Sequence, residues 1–403
     1  MGEKGAATSL SPARRRLCLG LLVLLGFALG CSEFVVIGIE PEISRDLGVP
    51  LSRVGQLISA FAVMYAVLTP VLALTTGRFR RFPLLVVYGA VFCLGNLVAM
   101  LAPSFEALLG SRVLIGAVSG ALLAVGVTYL PELLGAGRLS LGISAVYGAF
   151  SVAMVVATSA GKLIADALSW HVAMVATFVL CVATCAALVA VLPRTGATDE
   201  PATAREQIVL LRQPQVITGI GIFTFGIGSV YVFYGYVSPY LEDVLGLDAL
   251  ATSGVLMAYG GVCFVSNILS GWVDARFGMR ALPVVYVLLG GSLAALYLLG
   301  PSMPAALAAV FAVALLMYVT SVPCVSMFMR TARVTCPKAL TLASSLEPMA
   351  FNVGIAFGTA VGGAVVAGPG LRYVGLVGAA LTVVALALVL ATIALARRDG
   401  VRA

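Results

Sequence analysis

Four ionisable side chains interrupt stretches that are otherwise apolar: Glu33, Arg112, Lys162 and Glu347. A lone charge at the centre of a bilayer costs roughly 2.5–3.5 kcal/mol on insertion scales, so such a residue is expected to face a cavity or a partner. For a carboxyl the chemistry on offer is proton exchange. Burial raises its proton affinity, a neighbouring arginine lowers it, and a change in either one switches it. Glu33, Arg112 and Lys162 fall at overlapping depths, which predicts a buried cluster of Glu33 with Arg112, and with Lys162 at its edge. Two readings of Glu33 compete: a proton-coupling group, or one half of a fixed ion pair that orients two helices. Arg112 itself does not titrate. Lys162 either meets an anionic or carbonyl-bearing substrate or snorkels to the membrane interface. Glu347 either recognises a cationic group, binds a second proton, or is a hydrated acid at a cavity mouth. Asn352 would add a polar wall beside it. The run Tyr231-Val-Phe-Tyr234-Gly-Tyr236 suits a cavity for amphipathic molecules, with Tyr234 the residue exposed to it, and equally suits an aromatic belt.

Other site chemistry finds little support. The eight cysteines lie almost all in apolar runs, no C-x-x-C occurs, and His171 is the one histidine. Neither a metal site nor a disulfide framework is expected, and the cysteines read as small buried apolar residues. No clustered catalytic set marks an enzyme. No G-x-x-x-x-G-K-[ST] occurs, so ATP is not the expected energy source and no cofactor is implied.

The elements that position these residues are membrane spans. Of the 403 residues, 61% are hydrophobic and 10% charged, where a soluble chain carries about a quarter charged. A bilayer-crossing helix needs about 20 mostly apolar residues. Apolar runs fall at 17–39, 54–76, 83–101, 105–130, 139–166 and 169–192, then at 215–241, 249–273, 281–300, 303–329, 340–367 and 371–396. The expected architecture is an all-α polytopic membrane protein with twelve spans in two six-helix bundles. Residues 1–192 form the first bundle, 193–213 a polar linker and 214–403 the second bundle. The run at 17–39 continues past Cys31, so it reads as a retained span rather than a cleaved leader.

The net charge of +7 does not mark a nucleic-acid binder, because the basic residues sit in short clusters between spans. Arg14–Arg16, Arg80, Arg81, Arg138, Arg194, Arg276, Arg280, Arg330 and Arg333 fall on one side. Arg45, Arg53 and Arg372 fall on the other. The bias predicts cytoplasmic termini and linker.

Two six-span halves imply an internal duplication. The loop after the eighth run reads Gly271-Trp-Val-Asp274-Ala-Arg276-Phe-Gly278-Met-Arg280, and the one after the second reads Thr76-Gly-Arg-Phe-Arg-Arg81. Here the chain resembles the major facilitator superfamily, whose signature loop G-x-x-x-D-x-x-G-x-R recurs at these two places. The second copy is nearly complete. In the first copy Thr76 stands where the pattern has Asp. Ser32-Glu33-Phe34 followed by Gly38-Ile-Glu40-Pro41-Glu42-Ile43 is similar to the T-E-F-x-x-x-G-L-L-P-x-I opening of bacterial drug, sugar and nucleoside efflux proteins. Arg112-x-x-x-Gly116-x-x-x-Gly120 and Ala343-Ser-Ser-Leu-Glu347-Pro-Met-Ala-Phe-Asn352-Val-Gly354 resemble their fourth and eleventh spans. In the fifth span the antiporter pattern G-V-P-L-G-T is replaced by Ala157-Thr-Ser-Ala-Gly-Lys162, which keeps a uniporter or altered coupling in play.

The resemblance implies a secondary transporter in the bacterial inner membrane that exports a small organic molecule in exchange for protons. Drugs or antibiotics lead among its substrates, with sugars and nucleosides behind. It implies proton coupling at Glu33 and Arg112; the residues themselves offer Lys162, Tyr234, Glu347 and Asn352 for substrate contact. Gly271, Asp274, Arg276, Gly278 and Arg280 would form a conformational-switch loop. The expected partners are the substrate, protons and the bilayer, with the chain acting as a monomer.

Overall fold

The computed structural model describes residues 11–76, 79–134, 139–194, 209–299, 302–335 and 340–398. Among these, eleven helical stretches are long and apolar enough to cross a membrane. One of them, Ala249–Leu298, has 50 residues. At about 1.5 Å per residue it would reach roughly 75 Å, more than twice a hydrocarbon core of about 30 Å. It divides at the 3₁₀ turn Gly278–Ala281, where Gly278 adopts φ +57° and ψ −145°, a conformation that excludes a β-carbon. The outcome is twelve crossing helices.

In chain order they are α1 (Pro12–Gly38), α2 (Gln56–Thr76), α3 (Arg81–Leu101), α4 (Phe105–Val127), α5 (Leu139–Ala167) and α6 (Trp170–Val191). The second set is α7 (Pro214–Tyr234), α8 (Ala249–Phe277), α9 (Leu282–Leu298), α10 (Met303–Thr335, turning at 318–320), α11 (Leu340–Ala367) and α12 (Val374–Arg398). Crossing direction alternates, so Pro12 and Arg398 lie on one face, the near face, and the turn after α1 lies on the far face. Most of the expected linker, 195–208, is outside the described residues, as are the first loop's Gly77 and Arg78.

Several helices begin where a short polar side chain can satisfy a free backbone N–H. Ser11, Ser104 and Ser169 accept from Arg14, Ala107 and Val172 at 3.3 Å, and Asp248 accepts from Ala251 at 2.7 Å. One helix ends differently from expectation. The seventh run was expected to reach 241, but α7 stops at Tyr234. The chain then re-forms as Val237–Pro239 and a π turn, Tyr240–Val244. α1 ends at Gly38, about where its apolar run ends, and Pro41 opens the short helix Glu40–Leu47. The breaks occupy matching places in the two halves. By contrast, Pro348 lies inside an unbroken α11.

Each half is built on a close helix pair: α1 packs on α5, and α7 on α11 in the corresponding arrangement. Across the halves α2 meets α11 and α5 meets α8. In lipid, helix association depends on van der Waals fit, so small residues sit where backbones approach. A β-carbon on Gly38 would meet the carbonyl of Thr158, and one on Gly358 the carbonyl of Gly228. Gly354 and Gly358 thus lie on the face of α11 that packs against α7.

Candidate functional site

A cavity of about 300 Å³ lies between the halves. From the first half it is lined by Glu33 of α1, Tyr65 of α2, and Tyr147, Phe150 and Met154 of α5. From the second come Asn267 of α8, Tyr318 and Ser321 of α10, and Glu347, Phe351 and Asn352 of α11. Each half thus supplies one carboxylate, and the remaining wall combines six aromatic rings with aliphatic and small polar side chains. The rings are locked against one another. Tyr318 stacks on Phe351 at 5.4 Å between centroids, Phe34 meets Phe150 edge-on at 5.4 Å, and the Tyr318 hydroxyl reaches the Met154 sulfur at 3.5 Å across the interface. Asn352 donates to the Pro348 carbonyl at 3.0 Å, occupying the carbonyl beside the proline. Such a wall accommodates an amphipathic organic molecule, with the two acids fixing polar groups on it.

Arg112 is buried in α4, but the expected ion pair with Glu33 does not form. Its guanidinium donates to the backbone carbonyls of Ser32 (2.6 Å), Glu33 (2.9 Å) and Leu57 (3.4 Å), and lies 4.8 Å from the centroid of the Phe61 ring. A carbonyl has two lone pairs, so these contacts do not cost α1 its helical hydrogen bonds. The arginine clamps α1 to α2 and α4 at the level of Glu33. The Glu33 carboxyl is left turned to the cavity. Next to it, Ser32 donates to Asn96 at 2.8 Å, fixing α1 to α3.

Lys162 is not part of that cluster and does not line the cavity. Its ammonium, 1% exposed, contacts Glu42 after α1 and Glu242 after α7. Arg45 lies 3.6 Å from the same two carboxylates. On α5, Lys162 stands eight residues beyond Met154, which is about 12 Å towards the far face. Further contacts close that face between the halves. Ser238 donates to the Gly38 carbonyl at 3.3 Å, Ser253 to the Ser159 carbonyl at 2.9 Å, and Ser59 and Thr359 share a hydrogen bond of 2.5 Å. Tyr234 also departs from expectation. It is buried behind the cavity, stacked on Tyr259 at 4.9 Å and edge-on to Tyr231 at 5.4 Å.

The second signature loop lies on the near face. Ser326 of α10 donates to Asp274 at 2.6 Å, Arg276 lies over Trp272, Gly278 turns the chain, and Arg280 is exposed. Nothing within 4 Å would meet a β-carbon on Gly271. In the first copy Thr76 shares a 2.7 Å hydrogen bond with Tyr88, while Arg81 reaches Glu132 and the Thr128 carbonyl. The loop with Asp is thus tied to the tenth helix, and the loop without it closes on its own neighbour.

Tyr65, Tyr147, Phe150, Asn267 and Tyr318 were not singled out from the sequence. Their one signal is a polar-tipped or aromatic side chain inside a span near the level of Glu33 or Glu347. Glu42 and Glu242 were not singled out as site residues either. Their signal lies in the repeat, since each follows a proline just past the first helix of its half.

Residues 22–335 match the sequence model of the Major Facilitator Superfamily. The chain is 29% identical over 373 residues to the inner membrane transport protein YdhP of Escherichia coli K12, covering 91% of this chain and 94% of that one. It is 27% identical to the uncharacterized MFS-type transporter YtbD of Bacillus subtilis, covering 90% and 91%. It is 26% identical to a chloramphenicol resistance protein of Streptomyces lividans, covering 85% and 87%. Among solved structures, a bacterial homolog of the human lysosomal transporter Spinster, inward-facing and occupied, superposes with a TM-score of 0.79 at 15% identity. That match covers 95% of this chain and 97% of the other.

Proposed function

The chain belongs to the major facilitator superfamily, and on that premise we propose that it exports a small organic molecule across the bacterial inner membrane in exchange for protons. The observation that carries this reading is the cavity between the halves, with Glu33 on one wall and Glu347 on the other, beneath a closed far face. The basic residues of the near face make it the cytoplasmic one. The first bundle then comprises residues 1–192, the linker 193–213 and the second bundle 214–403.

The proposed cycle follows from charge. Glu33 faces the cavity with no cationic side chain paired to it. In an enclosed apolar space the ionised form needs compensation, by a proton or by a polar group of the cargo. Cargo and proton therefore compete at one place, and competition between them is exchange. Arg112 holds the backbone of Ser32 and Glu33 and so positions the acid without neutralising it by contact. Rocking of the halves about the cavity gives alternating access, and the Asp274–Ser326 contact ties α8 to α10 on the near face so that the second half moves as one body. Glu347, Asn352, Tyr318 and Phe351 would contact the cargo. Lys162 and Tyr234 take no part in cargo binding in this reading. Relatedness to a chloramphenicol resistance protein favours an antibiotic or drug-like cargo.

The test is accumulation of a panel of drugs and metabolites in an efflux-deficient bacterial host. Wild type and Glu33→Gln are compared at equal membrane levels, with and without a protonophore. Lowered accumulation by wild type, lost with either the substitution or the protonophore, supports the reading. Export that persists in both cases removes proton coupling at Glu33.

A further inference from the structure

The far face carries an acid to which the proposed cycle gives no task. Glu40 follows the break at Ile39, stands where the efflux opening pattern has Leu, and is 0% exposed. Neither of its carboxyl oxygens has a hydrogen-bond partner in the protein. The groups around it are all engaged elsewhere. On its own helix, Glu42 is held by Lys162, and Arg45 faces Glu42 and Glu242. From Leu51–Val54, Arg53 turns to Glu106 at 3.5 Å. From the second half, the Tyr236 hydroxyl donates to the Thr359 carbonyl at 3.2 Å, and Glu242 is taken by Lys162. Asp243 beyond it, and Asp166 at the end of α5, bring only more negative charge.

A carboxylate in this position has lost its water without gaining a cation, which disfavours the ionised form. Contacts that join the halves lie beside it: Ser238 donates to the Gly38 carbonyl, and the Tyr236 ring packs against Gly55. Separation of the halves on this side breaks those contacts and opens Glu40 to water.

We propose that Glu40 is a second proton-binding site, on the far face, and that this face closes only with the proton aboard. Burial, and then the like charge of Glu42, raise its proton affinity well above the ordinary glutamate range. This goes beyond coupling in the cavity. Glu40 takes its proton from the far side and returns it there, so it gates the cycle rather than carrying the transported proton.

The sign follows from linkage. The closed form holds the proton more tightly and is therefore favoured at low pH. As pH rises above about 4.3, the open form loses its proton first and gains up to about tenfold per unit. The gain stops once pH passes the raised value of the closed form. Burial also raises the proton affinity of Glu242, against the pull of Lys162, and this acts in the same direction. Substitution separates the two acids.

The experiment measures the distance between spin labels at Leu168 and Leu250, 71% and 72% exposed on the far side of each half. It uses the full chain in nanodiscs, with native cysteines replaced, from about pH 5 to about pH 9. In wild type the long-distance population grows with pH. Glu40→Gln loses most of this growth, keeping only the smaller part that Glu242 contributes, and Glu40→Asp restores the titration. Glu40→Gln titrating like wild type, or a wild type indifferent to pH, overturns the proposal. Should Glu40→Gln fail to reach the membrane, Glu242→Gln decides. Continued opening with pH supports Glu40, and loss of the pH response refutes it.

Discussion

Lys162 of α5 and Glu242 beyond α7 form an ion pair across the two halves, and the lysine also contacts Glu42. One buried ammonium therefore holds two carboxylates that belong to opposite sides of the interface. Removing it leaves both acids with only the exposed Arg45, 3.6 Å from each, which makes closure of the far face sensitive to this single change.

Lys162→Met should accordingly favour the open far face. Removing one partner of a buried pair costs about 3–5 kcal/mol, and this cost falls on the closed form, since the open form hydrates both acids. A cysteine at Ser253 should react faster with a membrane-impermeant thiol reagent in Lys162→Met than in the Lys162 background. Equal rates would mean the hydrogen bonds and packing alone hold the face shut.

Arg112→Lys should not be conservative. The guanidinium donates to three carbonyls on two helices, whereas an ammonium is a point charge without the fork. Transport at equal membrane level should fall by about tenfold, the equivalent of about 1.4 kcal/mol in positioning. Wild-type transport by the lysine variant would show that charge at this level, not geometry, is what matters.

Gly38→Ala and Gly358→Ala should each lower stability by about 1–3 kcal/mol, because the added methyl meets a backbone carbonyl that cannot yield cheaply. Gly20→Ala and Gly254→Ala, with nothing within 4 Å, serve as controls and should be neutral or stabilising. Thermal unfolding in detergent reads the difference. Indistinguishable midpoints for all four would remove the close-approach argument.

Ser326→Ala should slow transport about tenfold while leaving KM unchanged. The variant removes a hydrogen bond between Ser326 and Asp274, neither of which lines the cavity, and a bond to a charged group is worth about 1.5–3 kcal/mol. Initial-rate measurements against substrate concentration test this. A rise in KM at constant maximal rate would move the contact from conformational change to cargo binding.

The charged residues show how far a sequence reading reaches. That Glu33 and Glu347 must face something other than lipid follows from the cost of charge in a bilayer, and both line the cavity. Arg112 and Lys162 were grouped with Glu33 because depth is readable from position along a span. Rotation about the helix axis is not, and it sends Arg112 to backbone carbonyls and Lys162 to the far-face acids. Glu40, Glu42 and Glu242 lie just outside the apolar runs, where a solvated loop is the natural expectation. The breaks at Gly38 and Gly235 fold them back into the interface.

By itself, the sequence determined the twelve spans and the duplicated halves. Both depend on local apolar length, which the bilayer enforces. Only the tertiary structure decided which partners the buried charges take. A cavity and an ion cluster are made by side chains from spans far apart in the chain, and their meeting depends on how each helix is rotated and broken, which no local pattern records.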